Sequence, residues 1–149
     1  MKKTLVFSIV FLILIACAMG CSSNQDSKIQ PITYQDYIEK IWDFNQHPDK
    51  LVFKGETAVI VEFYSQHCGP CRLLMTHLEK MAEEYDGKLK VYKVDAEEEK
   101  ELATIFKVNG YPALFLFPKD GHKMMRHNGL MNEETLRNVI EEQLLDPTQ

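Results

Sequence analysis

The sequence has few of the residues that mark an unusual class of protein. It holds only four Cys in 149 residues, too few for a disulfide-dense mini-protein. Seven Gly and six Pro exclude a collagen-like chain, and an apolar content of 45% excludes a disordered one. The net charge is −5 and no Lys/Arg cluster is present, which excludes a nucleic-acid-binding surface. What remains is one ordinary globular domain that follows a short apolar stretch.

The apolar stretch at the N-terminus predicts an export signal. Lys2 and Lys3 precede a run that is apolar from residue 5 to residue 19 and ends in small residues. This run is 15 residues long, whereas a membrane-spanning helix needs roughly 18 to 20. The sequence therefore predicts a signal peptide over residues 1–20, and an uncleaved membrane anchor is the alternative.

The end of this signal resembles the signals of bacterial lipoproteins. Residues 18–21 read Ala-Met-Gly-Cys, so that a small residue directly precedes Cys21. The resemblance implies that Cys21 is acylated and begins the mature chain, with Cys17 as the alternative site and plain secretion as a further alternative. Residues 21–31 are then interpreted as the lipidated Cys and a flexible tether, because residues 22–30 are polar and lack periodicity.

The rest of the chain alternates between strand-like and helix-like patterns. Residues 58–64 form a nearly continuous apolar run rich in β-branched residues, which is typical of a central strand buried on both faces. A helix is predicted over residues 68–85 from its apolar spacing. The other predicted elements are helices over residues 33–44, 98–107 and 133–144 and strands over residues 51–53, 88–94, 113–117 and 122–127. This alternation predicts one α/β domain with a mixed sheet, over residues 32–146.

Two cysteines lie where the buried strand gives way to the next helix, in the sequence Cys-Gly-Pro-Cys at residues 68–71. A helix N-terminus directs unpaired N–H groups at the first sulfur and stabilises its thiolate, the form that attacks disulfides. Cys68 is therefore predicted to be the exposed nucleophile, and Cys71 the resolving thiol. Pro70 suits the first turn of a helix. A structural disulfide, half of a zinc site and a pair of inert core thiols are the alternatives, although no second pair of ligands at metal-binding spacing is present.

Two stretches of the chain resemble the thioredoxin family. Residues 61–72 (Val-Glu-Phe-Tyr-Ser-Gln-His-Cys-Gly-Pro-Cys-Arg) are similar to the active-site stretch of that family. Residues 108–117 (Val-Asn-Gly-Tyr-Pro-Ala-Leu-Phe-Leu-Phe) are similar to its cis-proline loop and the strand that follows. The resemblance extends over residues 32–145. It implies the thioredoxin fold, in which helices flank a central mixed sheet on both faces.

The resemblance also implies an activity and a set of site residues. The activity is that of a disulfide oxidoreductase, with Cys68 as the attacking and Cys71 as the resolving cysteine. No cofactor is implied beyond this redox-active pair, and no metal. Pro112 corresponds to the cis-proline, which lies beside the sulfurs and receives the substrate backbone. The residues expected to bind substrate are His67, Gly69, Pro70, Tyr111, Pro112 and Gly129.

Three positions depart from the usual pattern of the family. Glu62 stands where a buried Asp handles the proton of the resolving thiol, and burial raises the pKa of a carboxyl, so we expect this role to persist with support from Lys93. A buried ion pair between Glu62 and Lys93 is a compatible alternative. His67 replaces a Trp, and an imidazolium beside Cys68 would favour the Cys68 thiolate. A solvent-facing His without this effect is the alternative. Tyr64 replaces another Trp, with little change expected.

The sequence as a whole predicts an exported, membrane-tethered thiol-disulfide oxidoreductase that reduces protein disulfides. Its expected partners are protein dithiol or disulfide clients, a membrane electron donor and, through the lipid, a bacterial membrane. We expect a monomer in the periplasm or cell envelope that binds no nucleic acid. Net oxidation or isomerisation of disulfides is the first alternative. The second is a non-catalytic thioredoxin-fold binding or copper-handling module, which the scarcity of metal ligands disfavours.

Overall fold

The computed structural model describes residues 27–146. The predicted signal peptide over residues 1–20 and both candidate lipidation sites, Cys17 and Cys21, lie outside this range and stay predictions. Within the described range, no helix is both long enough and apolar enough to cross a membrane.

Strands and helices alternate along the described chain. The strands are β1 (Ile29–Pro31), β2 (Ala58–Tyr64), β3 (Leu89–Asp95), β4 (Ala113–Phe117) and β5 (Met125–Asn128). The α-helices are α1 (Tyr34–Lys40), α2 (Gly69–Glu84), α3 (Lys100–Ile105) and α4 (Glu133–Val139), and α4 continues into a π-helix, Ile140–Leu145.

The strands form one mixed sheet with the order β1-β3-β2-β4-β5. Strands β1, β3 and β2 are parallel, whereas β4 is antiparallel to β2 and β5 is antiparallel to β4. The carboxyl ends of β2 and β3 therefore lie at the same edge of the sheet as the amino end of β4. The prediction of a mixed sheet flanked by helices on both faces is confirmed.

Strand β2 is buried on both faces because successive side chains point to opposite sides of the sheet. Ile60 lies in a core cluster with Leu74 and Leu78 of α2, together with residues of α4 and the π-helix. Val61 and Phe63 lie in the other cluster, with residues of α1 and α3. Each face of the sheet therefore has its own helical cover, which explains the continuous apolar run at residues 58–64.

The structure corrects the N-terminal boundary of the domain. Residues 29–31, which the sequence assigns to the tether, form β1 and pair with β3. The Ile29 side chain is only 2% exposed. A strand of three residues with a single buried side chain gives no detectable alternation, so the sequence pattern misses it. The folded domain thus begins before residue 32.

The first helix ends earlier than its apolar spacing predicts. It begins after Thr33, whose side chain accepts a hydrogen bond from the backbone N–H of Asp36, and it ends at Lys40 rather than at residue 44. Trp42 instead forms an isolated antiparallel bridge with Phe53, which is all that exists of the strand predicted over residues 51–53. Its indole Nε1–H donates to the carbonyl of Lys50 at 3.1 Å. These contacts with a later loop take the chain away from the helical path.

Candidate active site

The two cysteines of the Cys-Gly-Pro-Cys sequence lie at the start of α2, at the carboxyl end of β2. Cys68 is the N-cap residue of α2, and its Sγ accepts a hydrogen bond from the backbone N–H of Cys71 at 3.1 Å. The two residues form a disulfide with an S–S distance of 2.01 Å. Cys68 is partly exposed, whereas Cys71 is only 3% exposed. The helix therefore presents one sulfur to the surface, with an N–H directed at it, and hides the other.

The residues that surround Cys68 in the sequence are open to solvent. His67, Gly69 and Pro70 are all exposed, and Gly69 and Pro70 form the first turn of α2. The His67 ring forms no hydrogen bond or ion pair with any described residue. This agrees with the alternative in which His67 faces solvent. An effect of His67 on the Cys68 thiolate stays a prediction.

The predicted cis-proline loop lies at the same edge of the sheet. The peptide bond between Tyr111 and Pro112 is cis. Pro112 directly precedes β4, whose first residue, Ala113, pairs with Phe63 near the carboxyl end of β2. The backbone N–H of Gly129 donates to the carbonyl oxygen of Pro112 at 2.8 Å. The fold thus brings Pro112 and Gly129 to the edge from which Cys68 emerges.

Gly129 has a conformational reason to be glycine. Its φ of +93° lies in the left-handed region that side chains disfavour. A Cβ atom at this position would meet nothing within 4 Å, so backbone conformation rather than space requires glycine here. Tyr111, on the other side of Pro112, is 39% exposed and offers an aromatic surface to solvent.

Glu62 lies within β2 on the face covered by α2. It alternates in phase with Ala58 and Ile60, which belong to the core cluster containing Leu74 of α2. Its side chain is fully buried, and neither carboxylate oxygen has a hydrogen-bond partner among the described residues. Burial raises the pKa of Glu62 to about 8, although the nearby charge of Lys93 acts in the opposite direction.

Lys93 is the neighbour of Glu62 in the sheet register, on β3. The direct ion pair that the sequence leaves open is not formed between these two residues, and Lys93 affects the carboxyl only through its charge. Lys93 lines a groove of about 320 Å³ together with Cys71, Tyr64 and Met75. The resolving cysteine and the lysine therefore lie along the same groove.

The chain matches a model of a known protein family over more than half of its length. The thioredoxin family model matches residues 42–142. The chain belongs to the thioredoxin family. The resemblance seen in the two sequence stretches is therefore confirmed, and the order and directions of the strands are those of the thioredoxin fold.

This chain matches nearly the full length of some thioredoxin relatives but only part of others. It is 29% identical over 111 residues to a thioredoxin of Borreliella burgdorferi, covering 74% of this chain and 93% of the relative. It is 39% identical over 110 residues to the chloroplastic thioredoxin-like protein CITRX of Oryza sativa subsp. indica, covering 73% of this chain but only 58% of the relative. A crystal structure of chloroplastic thioredoxin z superimposes with a TM-score of 0.62 at 28% identity, covering 76% of this chain and 91% of that one.

Sequence reasoning missed two acidic residues that hold the loop before Cys68. The carboxylate of Asp95, at the end of β3, accepts hydrogen bonds from the Gln66 side chain at 3.2 Å and from the backbone N–H of Glu97 at 2.9 Å. The Glu97 carboxylate accepts from the Ser65 hydroxyl at 2.6 Å. The sequence does carry an indirect signal for these contacts. Tyr64 and Asp95 are the last residues of two neighbouring parallel strands, so the loops that follow them lie side by side.

Within residues 27–146, no group of three or more His, Cys, Asp or Glu side chains is placed to hold a metal ion.

The raised pKa of Glu62 predicts a pH-dependent loss of stability in the oxidised protein. In the folded state the pKa is about 8, whereas an unfolded Glu titrates near about 4.3. Between these values the folded chain retains a proton that the unfolded chain releases, so the free energy of unfolding falls as the pH rises from about 5 to 8. The Glu62→Gln variant lacks this titration. Over the same pH interval, the decrease in its free energy of unfolding should therefore be smaller than that of wild type by about 2 to 4 kcal/mol.

Urea unfolding at several pH values, with the disulfide intact, measures this difference. Glu83→Gln is a matched control because Glu83 is exposed on α2, and it should follow the wild-type profile. Parallel profiles for wild type and Glu62→Gln would show that the Glu62 carboxyl is already ionised at pH 5.

Proposed function

We propose that this chain is an exported thiol-disulfide oxidoreductase that reduces disulfides in other proteins. The observation that carries the proposal is the pairing of a partly exposed Cys68 at the N-cap of α2 with a buried Cys71. An exposed sulfur can be attacked or can attack, and a hidden sulfur one turn away can displace what has been attached. Family membership supports exchange chemistry of this kind.

The exchange begins with the reduced, dithiol form of the pair. The Cys68 thiolate attacks one sulfur of a client disulfide; a mixed disulfide forms, and the other client sulfur leaves as a thiolate. Cys71 then loses its proton and attacks the Cys68 sulfur. The Cys68–Cys71 disulfide closes, and the second client sulfur leaves as a thiolate that takes up a proton. Two electrons pass from the pair to the client, and the pair ends in its disulfide form, the form described above.

The backbone N–H of Cys71 assists the first step. It lies 3.1 Å from the Cys68 Sγ in the disulfide form. A hydrogen bond from a helix N-terminus stabilises negative charge on sulfur, so this contact favours the thiolate when the pair is reduced.

Glu62 accepts the proton that Cys71 loses in the second step. A pKa of about 8 for this carboxyl is close to that of an ordinary thiol, about 8.5, so proton transfer between the two is nearly balanced in energy. The groove that reaches Cys71 and Lys93 gives the proton an exit to water. In this proposal Lys93 keeps the carboxyl from being held permanently in its protonated form.

The client docks across the edge formed by Pro112 and Gly129. Pro112 has no N–H to donate, and the Gly129 N–H is already bonded to the Pro112 carbonyl. The client backbone therefore lies against Pro112 and Gly129 and the hydrogen bond that joins them, which together are called the docking frame. The exposed Tyr111 ring and the exposed residues His67, Gly69 and Pro70 supply further contact.

The proposed location is the cell envelope of a bacterium, with the chain attached to a membrane through lipid on Cys21. The basic and apolar N-terminal sequence supports export, and the small residue before Cys21 supports lipidation. A reductase outside the cytosol needs a source of electrons. We propose that a membrane-bound dithiol protein reduces the Cys68–Cys71 disulfide after each cycle.

Removal of the resolving thiol is expected to trap clients. In Cys71→Ser the Cys68 thiolate still attacks, but nothing displaces the client, so mixed disulfides accumulate. Non-reducing electrophoresis of cells that express the full chain should show adducts that disappear on reduction. Cys68→Ser is the matched control, and it should form none; equal adducts in both variants would contradict the assignment of Cys68 as the attacking residue.

The reduction potential of the pair decides the direction of net electron flow. We expect a value near that of thioredoxin, about −270 mV, from equilibration with thiol buffers of known potential. A value between about −180 and −120 mV would instead identify an isomerase or oxidant. In that case, His67→Trp would test whether the exposed imidazole causes the shift.

Membrane attachment is expected to depend on Cys21. The full-length chain expressed in a bacterium should fractionate with membranes, and Cys21→Ala should release it into the soluble envelope fraction because the acylated residue is lost. Cys17→Ala is the matched control, with unchanged attachment. The reverse pattern would move the lipid to Cys17, and membrane attachment of the double variant would contradict lipid anchoring.

A further inference from the structure

We propose that Arg126 is a positioning residue that fixes the frame on which a client polypeptide docks. Its side chain joins the segment leading into Pro112 to the segment leading into Gly129. The inference rests on the proposed disulfide exchange, because it concerns how clients reach Cys68. Arg126 lies on β5 and contacts neither the disulfide nor Pro112, so it acts through other residues.

The first set of contacts is at the end of α3. The guanidinium of Arg126 donates one hydrogen bond to the carbonyl of Phe106 at 3.3 Å and another to the carbonyl of Lys107 at 3.2 Å. Carbonyls at the end of a helix lack partners within the helix, so these bonds satisfy groups that would otherwise need water. Lys107 has a φ of +50°, a left-handed conformation that is unfavourable for a lysine. Arg126 therefore holds the chain at a strained exit from the helix.

The second set of contacts is on β5 itself and its neighbour β4. Nε–H of Arg126 donates to the side-chain oxygen of Asn128 at 2.9 Å. The guanidinium carbon also lies 5.3 Å from the centre of the Phe115 ring, within the range of a cation–π contact. One face of the guanidinium thus lies over the Phe115 ring, and its N–H groups donate to three acceptors.

These contacts converge on the docking frame from both sides. Lys107 lies five residues before Pro112 in the sequence, and Asn128 directly precedes Gly129. The Gly129 N–H donates to the Pro112 carbonyl at 2.8 Å. A single side chain therefore braces both segments whose meeting point is the Gly129–Pro112 hydrogen bond.

The fork of a guanidinium is needed for this geometry. Its N–H groups point in fixed, different directions, so one Arg can reach two backbone carbonyls and an amide oxygen together. A lysine retains the charge but offers one compact ammonium group, which cannot meet all three acceptors. We therefore expect Arg126→Lys to behave much like Arg126→Gln.

Kinetics with two disulfides separate positioning from chemistry. Insulin is a protein disulfide that has to dock, whereas Ellman's reagent is a small disulfide that needs only an accessible Cys68 thiolate. In Arg126→Lys and Arg126→Gln we expect the KM for insulin, with dithiothreitol as reductant, to rise about five- to tenfold as these hydrogen bonds are lost. We expect kcat for insulin and the rate with Ellman's reagent to stay within about twofold of wild type, since β2 and α2 hold the cysteines independently.

Arg137→Gln is the matched control. Arg137 also makes a two-pronged contact, with the Glu84 carboxylate at 3.0 and 2.8 Å, but it joins α4 to α2 and touches neither segment of the frame. Its loss should leave both reactions unchanged. Equal losses with insulin and Ellman's reagent in the Arg126 variants, or a wild-type KM in Arg126→Lys, would overturn the proposal.

A second measurement is independent of the proposed function. Amide hydrogen exchange at Gly129 reports directly on its bond to Pro112, and we expect it to be about fivefold faster in Arg126→Gln than in wild type or Arg137→Gln. Unchanged exchange at Gly129 would overturn the positioning role. Failure of the proposed function looks different, because the wild type and Cys68→Ser would then reduce insulin equally poorly while the exchange difference at Gly129 persisted.

Discussion

The hydrogen bonding of β2 on both sides, to β3 in parallel and to β4 in antiparallel orientation, brings the two cysteines and Pro112 to one edge of the sheet. The parallel partner brings the ends of β2 and β3 together, and the loop before Cys68 is tied to that meeting point. The antiparallel partner places the start of β4, and with it Pro112, at the same edge. The arrangement of cysteines and proline is therefore a consequence of strand direction, and the local sequences only supply the reactive groups.

The same strand carries the least favourable group in the core. Glu62 is buried among apolar side chains with no hydrogen-bond partner in the described part of the chain. Such a group is tolerated by remaining protonated over most of the physiological range, since its pKa is about 8. A leucine here would suit the packing of Ile60 and Leu74 better. In the proposed exchange, the carboxyl is a compromise in which some stability is given up for a proton acceptor on the face of the sheet that α2 covers.

The sequence predicts the central elements of the fold well because their patterns are local and strong. Continuous apolar runs identify β2 and β4, and apolar spacing identifies α2, so the Cys-Gly-Pro-Cys segment could be placed between a strand and a helix. Strand β1 could not be predicted, because three residues with one buried side chain form no pattern. The contacts of Asp95 with Gln66 and of Arg126 with the end of α3 leave only an indirect signal in the sequence, since they join residues far apart and depend on which elements the fold brings together.

The direction of β1 has a consequence for anything that precedes the domain. Because β1 runs parallel to β3 and β2, the chain enters the sheet at the end opposite to Cys68. Ile29 is level with Ile60, four residues before the end of β2, which is a separation of about 13 Å along the strand. A label or fusion partner joined directly to Ser27 would therefore start on the side of the domain away from the edge that carries Cys68.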